Sequence, residues 1–154
     1  MSPLTHHVRF NWLAILTAAI ASFLFEAIWF SVFMIPWLEG IGRGKEWLMM
    51  AAAIHPATQY GTAFLCSIVA ATVLTLLIQI TGEQTARRGI LLALLIWTGF
   101  VATSWAKEYV FEVRSFQIYA INAGHSLLDL AIVGAIVGGW KHKPRVAFRP
   151  QTAT

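Results

Sequence analysis

Apolar residues fall into four long blocks separated by short polar stretches, a spacing that matches membrane-crossing helices. The blocks run over about 11–34, 60–80, 89–105 and 116–140. A helix needs roughly 20 residues to cross a hydrocarbon core, so each block meets or approaches that length and the third is the shortest. Period-2 alternation is absent, which argues against a membrane β-barrel. The pattern predicts an all-α membrane protein with four transmembrane helices in one bundle. A short segment, 1–10, precedes the bundle, and a basic tail, 141–154, follows it.

Composition agrees with that picture. Of 154 residues, 58% are hydrophobic and only 12% charged, about half the charged share usual in soluble domains. A chain this short could not hide so much apolar surface by folding in water. Disordered and disulfide-stapled classes are excluded on the same grounds. The first block resembles a leader, with Arg9 ahead of it and Ala19-Ile20-Ala21 inside it. Because the apolar run continues to Met34, a retained anchor is expected.

Charge in the loops sets the expected orientation. An even number of spans places both ends on one side, with Arg9, Arg87, Arg88, Lys141, Lys143, Arg145 and Arg149. The other side holds Arg43, Lys45, Lys107 and Arg114, offset by Glu39, Glu46, Glu108 and Glu112. The positive-inside rule then puts the N and C termini in the cytoplasm. Trp12, Trp37, Trp47, Trp105 and Trp140 fall near span ends, as an interfacial belt would. Only Trp29 and Trp97 lie inside spans. Between the first two spans, Gly40, Gly42 and Gly44 break the chain, and Glu46–Ile54 reads as a short interfacial helix before Pro56. Cys66, the one cysteine, reads as a small core residue.

Two stretches carry a family likeness. Asn11-Trp12-Leu13-Ala14-Ile15-Leu16 opens the first span. Phe111-Glu112-Val113-Arg114, Ile121-Asn122-Ala123-Gly124-His125 and the closing Gly134-Ala135-Ile136-Val137-Gly138-Gly139-Trp140 complete the pattern. The chain thereby resembles a family of small bacterial four-helix integral membrane proteins known only as a domain of unknown function. That resemblance covers 11–140 and implies a fold and a location, but no reaction. It also implies a small residue, usually glycine, where this chain has Glu26.

Ionisable groups inside a bilayer cost about 2.5–3.5 kcal/mol near a helix centre, so they are the default functional candidates. Here they are Glu26, His125 and Asp129, joined by Asn122. Asn122, His125, Ser126 and Asp129 are spaced i, i+3, i+4 and i+7, which puts them on one helix face. Gly134 and Gly138 form a small-xxx-small pair on a different face, suited to close helix packing. At a rise of 1.5 Å per residue, Glu26 lies about 22 Å along the first span and His125 about 13 Å along the fourth. Their depths nearly match, so a Glu26–His125 pair is open if those helices are neighbours.

Three readings follow. The first is a bundle that binds, and in some form transports, a small hydrophobic or cationic ligand, an ion or a proton. A homodimer would thicken the wall of any pathway. The second is a structural or accessory subunit docked on a membrane-protein partner through the glycine face. The third is an intramembrane isomerase or cyclase with His125 as proton shuttle. No cofactor motif is present, His55 with His125, Asp129 and Glu26 makes at most a weak metal set, and the basic tail is too short for nucleic acid.

Overall fold

A computed structural model of the chain describes residues 10–44, 46–51, 54–82 and 84–140. Its elements are α1 (Trp12–Val32), α2 (Met34–Gly40), α3 (Glu46–Ala51), α4 (Pro56–Thr81), α5 (Ala86–Ile96), a π-helical segment (Trp97–Ala102), α6 (Thr103–Phe111) and α7 (Phe116–Gly139). No strand occurs among the described residues. The expected N-terminal segment (apart from Phe10) and basic tail lie outside them.

Helix starts follow local side-chain chemistry. Asn11 Oδ1 accepts from Ala14 N at 3.3 Å and Thr85 Oγ1 accepts from Arg88 N at 3.2 Å. His55 Nδ1 accepts from Ala57 N at 3.2 Å, just before Pro56. Each acceptor satisfies an amide that the first turn leaves without an intrahelical partner.

Four helices are long and apolar enough to cross a membrane: Trp12–Val32, Pro56–Thr81, Ala86–Phe111 and Phe116–Gly139. The shortest, 21 residues, extends about 31 Å at 1.5 Å per residue, against a hydrocarbon core of about 30 Å. Leu13, Leu16, Ile20, Leu24, Ile28 and Val32 form an exposed apolar stripe down α1. Lipid is the solvent that such a stripe requires. This is a multi-pass membrane protein.

The third span continues to Phe111, past the end of its apolar run at Trp105, through a π segment. The first span stops at Val32, and Phe33 separates it from α2. Pro36 explains that break: it has no N–H for the Val32 carbonyl, and its ring crowds that same group. The bend folds α2 over the start of α7. Leu38 becomes buried, Gly40 lies against Ile118, and Gln117 Nε2 donates to Pro36 O at 3.3 Å.

Helix α7 is the central element, packing against α1, α2, α4, α5 and α6, whereas α1 and α5 do not touch. Ile15 and Ala18 of α1, Ala71, Leu74 and Ile78 of α4, Ala93 of α5, and Val133 and Val137 of α7 form one core cluster. These residues all lie toward the end of the bundle where α1 begins and α7 finishes. On that side α5 and α7 meet backbone to backbone at Gly89, Gly134 and Gly138. The glycine face is therefore taken up within the chain. Farther along, Ser22 Oγ donates to Ser67 Oγ at 3.1 Å and ties α1 to α4. Cys66 corrects its sequence reading: it is exposed, because α4 turns position 67 inward and position 66 outward.

The α6–α7 turn holds Val113 at φ 55°, with Arg114 N donating to Tyr109 O at 3.0 Å. This closes the end of α6 in the manner of a left-handed cap, a place that glycine normally fills. A β-branched residue there carries about 1–2 kcal/mol of strain. Val113→Gly should raise the unfolding midpoint by the equivalent of about 1 kcal/mol in a detergent melt. An unchanged or lower midpoint would mean that the turn is not strained.

Candidate functional site

The part of α1 between Phe23 and Phe33 is crowded with aromatic residues, and helical spacing sorts them onto two sides. Phe25 and Trp29 point toward α7. The ring of His125 stacks on Phe25, with centroids 5.5 Å apart and planes 9° apart, while Trp29 lies 6.1 Å from it. The Trp29 ring packs over Gly124, where a Cβ would meet it at 3.6 Å, an ordinary contact. Glu26 and Phe30 lie on the side of α1 that turns toward α4, and the Phe30 ring also reaches His125.

Glu26 and His125 thus share a level, but they form no ion pair. Phe25 and Phe30 occupy the space around the imidazole, Phe30 with its centroid 5.0 Å away. Asp129, one turn along α7, acts electrostatically on both Glu26 and His125. The only ion pair among the described residues joins Arg114 to Glu112, in the turn beyond α6. Neither intramembrane carboxylate has a cationic partner there.

The polar face of α7 divides into two ridges with different fates. Asn122 and Ser126 are satisfied. Asn122 Oδ1 accepts from Trp37 Nε1 at 3.2 Å, and its Nδ2 donates to the Tyr109 hydroxyl. Ser126 Oγ accepts from Trp97 Nε1 at 3.1 Å and donates to Ala123 O at 3.0 Å. The second ridge, His125 and Asp129, is not. His125 Nε2 and Asp129 Oδ1 are buried without a hydrogen-bond partner, and so is Trp29 Nε1 beside them. Buried polar atoms are normally bonded, and each one left unpaired costs about 1–3 kcal/mol.

Beside this seam the surface opens into a groove. One lobe, about 370 Å³, lies between Phe23, Glu26, Ala27, Phe30, Ser31 and Met34 on one wall and Gln59, Tyr60 and Ala63 of α4 on the other. A second lobe, about 400 Å³, is bounded by Glu26, Phe30, Met34, Trp37 and Leu38. Glu26, Phe30 and Met34 belong to both. Glu26 sits six residues, about 9 Å, inside the end of α1. Among the described residues no three His, Cys, Asp or Glu side chains converge as metal ligands. His55 serves α4 as its cap, apart from this site.

A family description, protein of unknown function (DUF1761), matches residues 13–138. The chain belongs to that family. Comparisons of this DUF1761 protein with curated proteins and with solved structures find no match. Its site must therefore be read from its own geometry. Sequence reasoning singled out Glu26, Asn122, His125 and Asp129 but passed over Phe25, Phe30, Tyr60 and Tyr109. The run Phe25-Glu26-Ala27-Ile28-Trp29-Phe30 carried a signal, since it surrounds a charged residue with three rings.

Proposed function

We propose that this DUF1761 protein binds a small ligand or cation at the Glu26 groove, with Asp129 and His125 forming the polar wall behind it. The observation that carries this reading is the set of unpaired buried atoms, Trp29 Nε1, His125 Nε2 and Asp129 Oδ1. A polar cluster kept only to hold helices together would pair its atoms inside the bundle, as Asn122 does. This one leaves three buried atoms without partners, and the nearby Glu26, which feels the Asp129 charge, lines a cavity.

The other readings have less support. An accessory subunit was expected to dock through Gly134 and Gly138, but α5 of the same chain occupies that face. An isomerase or cyclase needs its proton shuttle at the substrate, and His125 is absent from the groove lining, behind Phe30. The loop charge asymmetry supports cytoplasmic termini, and the resemblance to small bacterial membrane proteins favours a bacterial inner membrane as the setting. A homodimer placing two such sites side by side is compatible with the lipid-exposed third span.

Thermal unfolding in detergent tests the reading. Glu26→Gln and Asp129→Asn should each melt at or above wild type, by up to about 2 kcal/mol, because groups kept for function commonly cost stability. If both variants lose more than about 2 kcal/mol, the carboxylates hold the bundle together and the binding role fails.

A further inference from the structure

The groove also specifies a chemical class of ligand, an inference that rests on the binding role above. We infer that its ligand is a lipophilic organic monocation, an apolar or aromatic body with one delocalised or alkylated positive charge, taken from the lipid phase.

Three independent observations lead there. The first is size and opening. Two lobes of about 370 and 400 Å³ fall within the range of small-molecule sites. The first lobe lies between α1 and α4, and Met34 and Tyr60 of its lining are exposed at the bundle surface. Entry is therefore sideways, from lipid. The second is the wall. Phe23, Phe30, Tyr60 and Trp37 present rings, with Phe23 and Tyr60 edge-to-face at 6.3 Å and Phe30 and Trp37 edge-to-face at 5.9 Å. Such walls hold apolar bodies and attract a desolvated cation to their faces.

The third is charge. Glu26 is the one ionisable carboxyl in the lining, Asp129 adds its field, and no Lys or Arg lines either lobe. An ionised carboxylate inside a membrane span is costly without an accompanying cation. An anion would meet two acids and no counter-charge. A divalent metal ion would ordinarily draw on more than one acidic or imidazole side chain, and among the described residues no three His, Cys, Asp or Glu side chains converge. A lipid ammonium headgroup is anchored at the interface by its phosphate, whereas Glu26 lies about 9 Å inside the end of α1. A free lipophilic cation satisfies size, wall and charge together.

The experiment is equilibrium dialysis of labelled tetraphenylphosphonium against the protein in lipid nanodiscs, with empty nanodiscs subtracted. Tetraphenylborate, of the same shape and opposite charge, is the control. Wild type should show saturable, stoichiometric binding of the phosphonium alone. Glu26→Gln should weaken it at least tenfold and Phe30→Leu about fivefold, while Glu26→Asp should keep most of it. Binding should be unchanged when phosphatidylglycerol is replaced by phosphatidylethanolamine. The inference is overturned if wild type binds no phosphonium, if Glu26→Gln binds it equally, if the borate binds as well, or if the ethanolamine lipid displaces it. Should Glu26→Gln fail to fold, the Phe30→Leu and borate arms still decide. If the carboxylate variants keep their stability while phosphonium binding is absent, only the cation class falls. If they lose it, the binding role falls too.

Discussion

Gly89→Val should unfold the bundle or leave only a small folded fraction. A Cβ at Gly89 would run into the Gly134 carbonyl oxygen. Reciprocally, a Cβ at Gly134 would stand 2.5 Å from Gly89 O and 2.8 Å from Gly89 C, and one at Gly138 2.5 Å from Thr85 O. The obstacles are backbone atoms, which cannot rotate away as a side chain can. Helices α5 and α7 would have to separate, and Ala93, Val133 and Val137 in the neighbouring core would lose contact. Overpacking ordinarily costs about 1–3 kcal/mol, and with backbone on both sides about 3 kcal/mol or more is expected. Thermal unfolding of the purified variant, with size exclusion to confirm the loss, measures it. Gly61→Ala is the control: its Cβ would meet nothing within 4 Å. It should gain up to about 1 kcal/mol by restricting the unfolded chain. Equal losses in the two variants would mean that helix composition, not the α5–α7 approach, sets the cost.

Asn122→Leu should cost about 2–3 kcal/mol. Its amide serves two helices at once, accepting from Trp37 on α2 and donating to Tyr109 on α6. Interhelical hydrogen bonds in membranes average about 0.6 kcal/mol and reach about 1.7. Leucine would also leave the Tyr109 hydroxyl without this donor in a residue only 5% exposed. That unsatisfied group adds to the loss. The double variant with Tyr109→Phe should lose less than the sum of the single changes, by about 1 kcal/mol, because both act on one bond. Strict additivity would show that the Asn122–Tyr109 bond contributes nothing. Since Trp37 bounds the second lobe of the groove, phosphonium binding should weaken in Asn122→Leu while Glu26 is untouched.

Particular elements show what a linear reading could and could not reach. The four spans were legible because lipid burial depends on apolar length, a property carried along one helix. The third helix runs beyond the apolar block read at 89–105, whose end is marked by the approach of Lys107 and Glu108. Both are exposed there and leave the helix unbroken to Phe111. Helix α2 was missed, since the stretch after Met34 was read only through its glycines, and Pro36 there acts as a bend. The spacing of Gly134 and Gly138 announced a close approach, but only the fold named Gly89 and Thr85 as what approaches.

Asn122, His125, Ser126 and Asp129 were gathered correctly on one side of α7. The sequence could not say that Asn122 and Ser126 would be satisfied while His125 and Asp129 would not. Local order determines which residues are helical, how far each helix reaches and which side chains share a face, because these follow from a fixed rise and turn per residue. Whether a buried atom finds a partner depends on how neighbouring helices are rotated and offset against each other. A turn of about 100° in α1, one residue's step, exchanges Phe25 for Glu26 beside His125. That rotation is set by packing around Gly124, Ser22 and the α7 core, contacts between distant parts of the chain, and so only the tertiary structure decides it.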